Sequence, residues 1–170
     1  MNPDGPLIVQ SDRTVLLEVH HALADSARHA LAVFAELERA PEHMHTYRIT
    51  RLGLWNARAA GHTSEEILGT LEGYSKFPLP QGIAEEITDT IGRYGQIEIT
   101  RDGDDLFISC HTPAIEAEIT RTQKIKDLLG ERDDQGRFPL APWSRGLIKQ
   151  ELLKKGWPAA DHAGFAAGEP

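Results

Sequence analysis

The 170-residue sequence predicts an α+β fold, and three observations carry that reading. Apolar stripes at helical spacing, with punctuated ends, recur between residues 51 and 94. Short β-branched runs precede them. An Asp-Gly turn between two alternating runs follows at once.

In chain order, Leu7 to Gln10 and Thr14 to Val19 are β-branched-rich runs split by Ser11-Asp12-Arg13, which predicts a hairpin. Ala22 to Arg39 places Leu23, Ala27, Leu31, Phe34 and Leu37 at helical spacing and predicts one helix, ended by Pro41. A third strand, His43 to Ile49, completes a small β-β-α-β layer. A helix over Arg51 to Ala60 has Gly61 after it and Leu52, Trp55 and Ala59 on one side. Thr63 and Glu66 form a capping box for a helix over Ser64 to Tyr74, with Ile67, Leu68, Leu71 and Tyr74 inward. After the turn Phe77-Pro78-Leu79-Pro80, a helix over Gln81 to Tyr94 carries the stripe Ile83, Ile87, Ile91 and Tyr94, closed by Gly95. Gln96 to Thr100 and Asp105 to Ser109 pair across Asp102-Gly103. Strand, three helices and β-ribbon is a winged-helix order, with the ribbon as wing.

Downstream, Thr112-Pro113 opens a helix through Ile115 and Ile119 to Leu129, closed by Gly130. Glu131 to Gly136 is a polar loop, and Arg137 to Leu140 an edge strand because it contains Pro139. Ser144 caps a helix with Leu147, Ile148 and Leu152 on one side, stopped by Gly156 and Pro158. With Leu106 to Cys110 this makes a small β-α-β-α module. The expected organisation is an N-terminal domain over 1–104 with its winged-helix-like unit from about 50, the α/β module over 105–158, and a flexible linker-like tail over 159–170.

An apolar content of 40% suits a packed core. The net charge of −8 is unevenly placed: Met1 to Cys110 holds 9 basic against 17 acidic residues, and His111 to Pro170 holds 9 of each. A winged helix in the acidic part is poorly suited to tight DNA binding by itself, which needs cations to displace phosphate counterions. The single cysteine, Cys110, excludes an internal disulfide framework and a Cys-rich zinc site. Without a signal-like N-terminus or an apolar run of membrane-spanning length, a soluble cytoplasmic protein is expected.

Candidate chemistry is sparse. His20, His21, His43 and His45 lack a companion Cys or a carboxylate at ligand spacing, so no metal is expected. No phosphate-cradling G-x-x-x-x-G-K-[ST] and no nucleophile elbow occur, so no catalytic residue is assigned. The outer side of the third helix, with Gln81, Glu85, Glu86, Asp89 and Arg93, suits protein contact better than phosphate. Cations suited to DNA lie later: Arg121, Lys124 and Lys126 on one helix, and Arg145, Lys149, Lys154 and Lys155 on another. Trp143 and Trp157 near the second set could stack on a base. The bland alternative is a solvated helix face whose aliphatic stems shield apolar surface.

The residues also resemble a known family. Leu7 to Val19, Phe34 to Glu38, Pro41 to Arg48 and above all Gly53-Leu54-Trp55-Asn56-Ala57-Arg58-Ala59-Ala60-Gly61 are similar to the N-terminal region of bacterial XPB-type DNA helicases. Tyr74 to Pro80, Arg93-Tyr94-Gly95, Lys124-Ile125, Leu129-Gly130, Arg145-Gly146, Lys149-Gln150 and Leu152 to Ala159 extend the likeness over nearly the whole chain. The resemblance implies superfamily 2 ATP-dependent helicases that translocate 3′ to 5′ in DNA repair, nucleotide excision repair included, and serve transcription initiation in eukaryotes. These have an N-terminal domain and a damage-recognition-like α/β domain ahead of two RecA-like motor domains. The winged-helix region resembles the former, and Leu106 to Trp157 the latter. Walker A lysine, Walker B acid and arginine finger have no counterpart here, so ATP and Mg²⁺ are expected only on a motor that would follow Pro170.

The expectation is therefore a non-catalytic region, either excised or encoded without a motor, that positions DNA for helicase motor domains. DNA binding would be weak and not sequence-specific, in a bacterial cytoplasm and at the nucleoid. Two alternatives stand beside it: a module that recruits a repair partner such as a nuclease without touching DNA, and a free-standing winged-helix regulator.

Overall fold

The computed structural model describes residues 2–164, and the chain divides into two units between Ile91 and Gly92. In the first, β1 (Leu7–Val9), β2 (Thr14–Glu18), β3 (Ala35–Arg39) and β4 (Met44–Ile49) form an antiparallel sheet in the order β1-β2-β4-β3. The pairs Leu7 with Leu17 and Val9 with Val15 put four apolar side chains on the buried face. The turn between them holds Arg13 at φ +72°, with the Asp12 carboxylate accepting from the Thr14 amide at 3.0 Å.

Helix α1 (Ala24–Leu31) buries Ala24, Ala27 and Leu31 and then stops. The expected helix to Arg39 is thus corrected: Phe34 stays buried, but residues 35–39 form an edge strand on β4. Phe34 and Leu37 continue the helical period, which hides the alternation of Ala35, Leu37 and Arg39 with Glu36 and Glu38. The unpaired backbone of β4 decides between the two patterns. Glu36, Glu38 and Arg39 are exposed along β3, a charged edge that discourages pairing with another chain.

In α2 (Arg51–Ala59) the Thr50 side chain accepts from the Gly53 amide at 2.9 Å. The buried residues are Leu54, Trp55 and Ala57; Leu52, expected inward, is 49% exposed. Trp55 Nε1 donates to the Thr90 carbonyl at 2.7 Å and so ties α2 to α4 (Ile83–Gly92). On α3 (Ser64–Tyr74), Thr63 accepts from the Glu66 amide at 3.2 Å, but the Glu66 carboxylate bonds His62 at 3.1 Å. Only half of the capping box is therefore made. Ile67 and Leu71 of α3 and Ile83, Ile87 and Ile91 of α4 join the sheet residues in one core. Gln81 and Arg93 fall outside α4, which is shorter than the stripe suggests.

In the second unit, β5 (Ile97–Asp102) and β6 (Asp105–Cys110) pair along six residues, from Ile97 with Cys110 to Asp102 with Asp105. Gly103, at φ +62°, takes the first position of the two-residue turn, where a positive φ suits the twist of the strands. This hairpin forms the two central strands of a sheet ordered β7-β6-β5-β8. The chain consequently divides ahead of the hairpin, not at its turn.

Thr112 caps α5 (Pro113–Thr120) by accepting from the Ile115 amide at 3.2 Å. The helix expected to run on to Leu129 breaks at Thr120, whose hydroxyl donates back to the Glu116 carbonyl at 2.8 Å, and α6 (Gln123–Lys126) follows. Ile119 and Ile125 are both fully buried. Six residues apart, they would point to different sides of one continuous helix, so the break is what lets both face the core.

Pro139 lies in β7 (Phe138–Leu140), at a sheet edge as expected. Ser144 does not cap α7 (Arg145–Lys154); its buried hydroxyl donates to the Ala141 carbonyl at 2.8 Å. Arg145, Ile148 and Leu152 form the inner side of α7, and Leu147 is 49% exposed. Residues 159–161, expected in the flexible tail, form β8 (Ala159–Asp161), parallel to β5. The end of that expected tail, 165–170, lies outside the described residues. Among the described residues no helix is long and apolar enough to cross a membrane.

Strand β8 is held from the side by charge. Asp161 accepts from Arg145 Nε at 2.7 Å and Nη2 at 2.6 Å, from Lys149 Nζ at 2.9 Å and from the Ala163 amide at 3.1 Å. Burial alone would raise its pKa, but the hydrogen bonds from Arg145, Lys149 and Ala163 outweigh burial and bring it from 3.8 down to about 2. Because the folded value is the depressed one, this contribution is present above 3.8 and is lost as pH falls through about 2.

Urea unfolding of the second unit, followed by tryptophan fluorescence at pH 7 and through this acid range, should show that loss. D161N should start about 2 kcal/mol less stable at pH 7, with a flatter acid limb. An unchanged midpoint would show that the carboxylate does not hold β8. In the first unit, a Cβ at Gly53 would stand 2.4 Å from the Phe34 carbonyl oxygen, a backbone atom that cannot swing aside. G53A should therefore cost about 1 to 3 kcal/mol by overpacking, read as a lowered Tm.

Candidate nucleic-acid interface

The cations that sequence reasoning grouped together fall into two physical classes. Arg121 follows α5 as its C-cap, and Lys124 and Lys126 lie on α6; all three are exposed, and none makes an ion pair among the described residues. The break after Thr120 places them, since the buried Ile125 turns its neighbours Lys124 and Lys126 outward. Lys126 also borders a hollow of about 620 Å³ with Thr120, Leu129 and Phe138, where Arg132 Nε bonds Glu116 at 3.0 Å.

The α7 set is largely committed to the protein itself. Arg145 is 8% exposed and doubly bonded to Asp161, which Lys149 shares. Lys154 pairs with Glu151 at 3.0 Å on the surface, and Lys155 is exposed beyond the helix end. A buried cation already bonded to a carboxylate gains little from a phosphate, because leaving Asp161 would strand that charge. Asp161 was missed from sequence because Ala159-Ala160-Asp161 carries no strand signal, and its partners lie 16 and 12 residues earlier.

Two other candidates move as well. Arg93 donates to the Gly156 carbonyl at 3.1 Å and lies over the Trp157 ring at 4.4 Å, so its guanidinium is engaged within the second unit, while Gln81, Glu85 and Asp89 are exposed on the first. Trp157 is thereby occupied, whereas Trp143 is 72% exposed. Trp143 shares its hollow with Asp104, Asp105 and Asp127 and with no Lys or Arg.

Sequence reasoning also passed over Arg137, which bonds Asp133 at 2.9 Å and Asp102 at 3.3 Å and covers Phe107 at 3.8 Å. Its four-residue spacing from Asp133 was the available signal. Elsewhere, His111 and His162 both bond Glu98, at 2.9 and 3.2 Å, and hold its carboxyl below the usual range. His20 and His43 bond each other at 3.0 Å. The Cys110 thiol is pushed up to about 11 by burial and by Glu116, the opposite of an activated nucleophile.

Comparison with known proteins places this arrangement. Residues 7–134 match the family described as "Helicase conserved C-terminal domain". The chain is 52% identical over 167 residues to the DNA 3'-5' helicase XPB of Mycobacterium tuberculosis, covering 98% of this chain and 30% of that protein. It is 49% identical over the same shares to the protein of that name in Kineococcus radiotolerans. To the Saccharomyces cerevisiae general transcription and DNA repair factor IIH helicase/translocase subunit XPB/SSL2 it is 30% identical over 155 residues, 91% of this chain and 18% of that protein. The chain thus spans about 30% of the length of these bacterial relatives, and with near-complete coverage of its own residues it belongs to the family of XPB-type DNA helicases, whose N-terminal region it matches.

Proposed function

We propose that this chain acts as a non-catalytic DNA-positioning region of an XPB-type 3′-5′ helicase in DNA repair. The observation that carries the reading is the exposed trio Arg121, Lys124 and Lys126, without an ion pair among the described residues and displayed around one helix break. Three cations within six residues can follow a phosphate backbone and release its counterions without reading base sequence. Affinity from so few contacts is weak, as suits a surface that guides a strand toward a motor. ATP and Mg²⁺ belong to the motor in this reading, and DNA and the motor domains are the partners, at the bacterial nucleoid.

A second contact surface is favoured by a separate observation. Glu85 and Asp89 share the exposed side of α4, while neighbouring Glu86 pairs with Arg13 at 3.2 Å. Carboxylates there oppose phosphate, so the three helices α2 to α4, the winged-helix-like part of the reading, dock on protein, either the motor or a recruited repair partner.

Forked DNA titrated against the chain at low salt, followed by fluorescence anisotropy, should bind weakly and lose affinity with added salt. Joint R121E, K124E and K126E should lower the affinity at least about tenfold and reduce the slope of log K against log salt by about 2 to 3. K154E, which alters a surface pair, should change little. Unaltered affinity and slope in the triple variant, with its circular dichroism intact, would remove the trio from the reading.

A further inference from the structure

The hollow beside Trp143 does not fit the role that sequence alone gave that residue. It measures about 590 Å³, within the range of sites that hold a short peptide or small ligand, and lies wholly in the second unit. Much of its lining is apolar, with Leu128, Pro142 and the 72%-exposed Trp143 among the residues that form it. Its charged members are Asp104, Asp105 and Asp127, all exposed. Asp104 lies in the β5–β6 turn and Asp105 opens β6, and the tight turn that Gly103 makes brings the two carboxylates to the rim. Asp127 caps the C-terminal end of α6. Phosphate would meet three carboxylates here, so Trp143 is a poor platform for a nucleic-acid base.

From this charge complementarity, the geometry points to a docking groove for an extended, arginine-bearing peptide segment of a protein partner. A guanidinium stacks on the Trp143 ring, which is the most exposed large apolar side chain among the described residues. The aspartates hold that charge and one adjacent to it, and flanking apolar or proline residues cover Leu128 and Pro142. Two opposite surfaces thus arise from the same short stretch: Lys124 and Lys126 face outward for phosphate, and Asp127 next to them faces the groove for cations. Specificity comes from repulsion as much as attraction, since each surface rejects the other's ligand.

The test uses the full chain and a blocked Leu-Arg-Pro-Arg-Leu peptide. The glutamate counterpart of that peptide and an oligothymidine strand serve as the other arms. Calorimetry should detect the arginine peptide and not the glutamate peptide, oligothymidine should not compete with it, and its binding should change tryptophan fluorescence in the parent chain but not in W143F. Joint D104N, D105N and D127N, all at exposed positions, should weaken it by about tenfold, whereas R121E with K124E and K126E should not weaken it. The inference is overturned if the glutamate peptide binds as well, if oligothymidine displaces the arginine peptide, if the neutralised variant keeps its affinity, or if no heat is seen with millimolar arginine peptide.

Discussion

One carboxylate, Asp161, sets the layout of the second unit. It draws Arg145 and Lys149 of α7 across to β8 and accepts four hydrogen bonds from them and from the Ala163 amide. Without that bond set, Ala159-Ala160-Asp161 has little reason to be a strand, and β5 would be an open edge. The same bonds take Arg145 and Lys149 out of the cationic surface, and Arg93, tied to Gly156 and Trp157, is taken out in a similar way. What remains displayed is decided by subtraction: among the described residues of this unit, the exposed cations without an ion pair are Arg121, Lys124 and Lys126 around the bend and Lys155 beyond the end of α7.

The break between α5 and α6 completes this layout. It follows from a packing requirement, that Ile119 and Ile125 both be buried, and from hydroxyl competition at Thr120 for the helix backbone. A consequence on the surface is that basic residues are presented from a bend rather than along a straight helix, with Asp127 ending the bend on the side of the acidic groove. Surface electrostatics in this unit are therefore by-products of how its core is filled. The chain's overall charge of −8 conceals them.

Much of the fold was legible in the sequence. The first hairpin, the strand before α2, the three helices, the β5–β6 ribbon and the edge strand with Pro139 follow from period, caps and turn residues that act locally. The departures share a cause in tertiary demand. Residues 35–39 are both helical in period and alternating, and the free edge of β4 selects the strand. Ala57 and Leu54, not Leu52 and Ala59, face the core from α2 because Trp55 must reach the Thr90 carbonyl. Ser144 looks like a cap by its place before a helix, yet a buried hydroxyl is better satisfied by the carbonyl of Ala141. At the candidate interface, basic residue types were readable but their partners were not, since the carboxylate that claims two of them is separated in sequence and lies in a segment without a strand signature.

The most direct test of the central claim, that internal pairing leaves the α5–α6 bend as the cationic surface, is a backbone amide chemical-shift map of the chain titrated with forked DNA at low salt. The largest shifts should cluster over residues 120–127, with the amides of α7 and β8 nearly unmoved. Shifts concentrated on α7 around Arg145 and Lys149, with the bend silent, would contradict it.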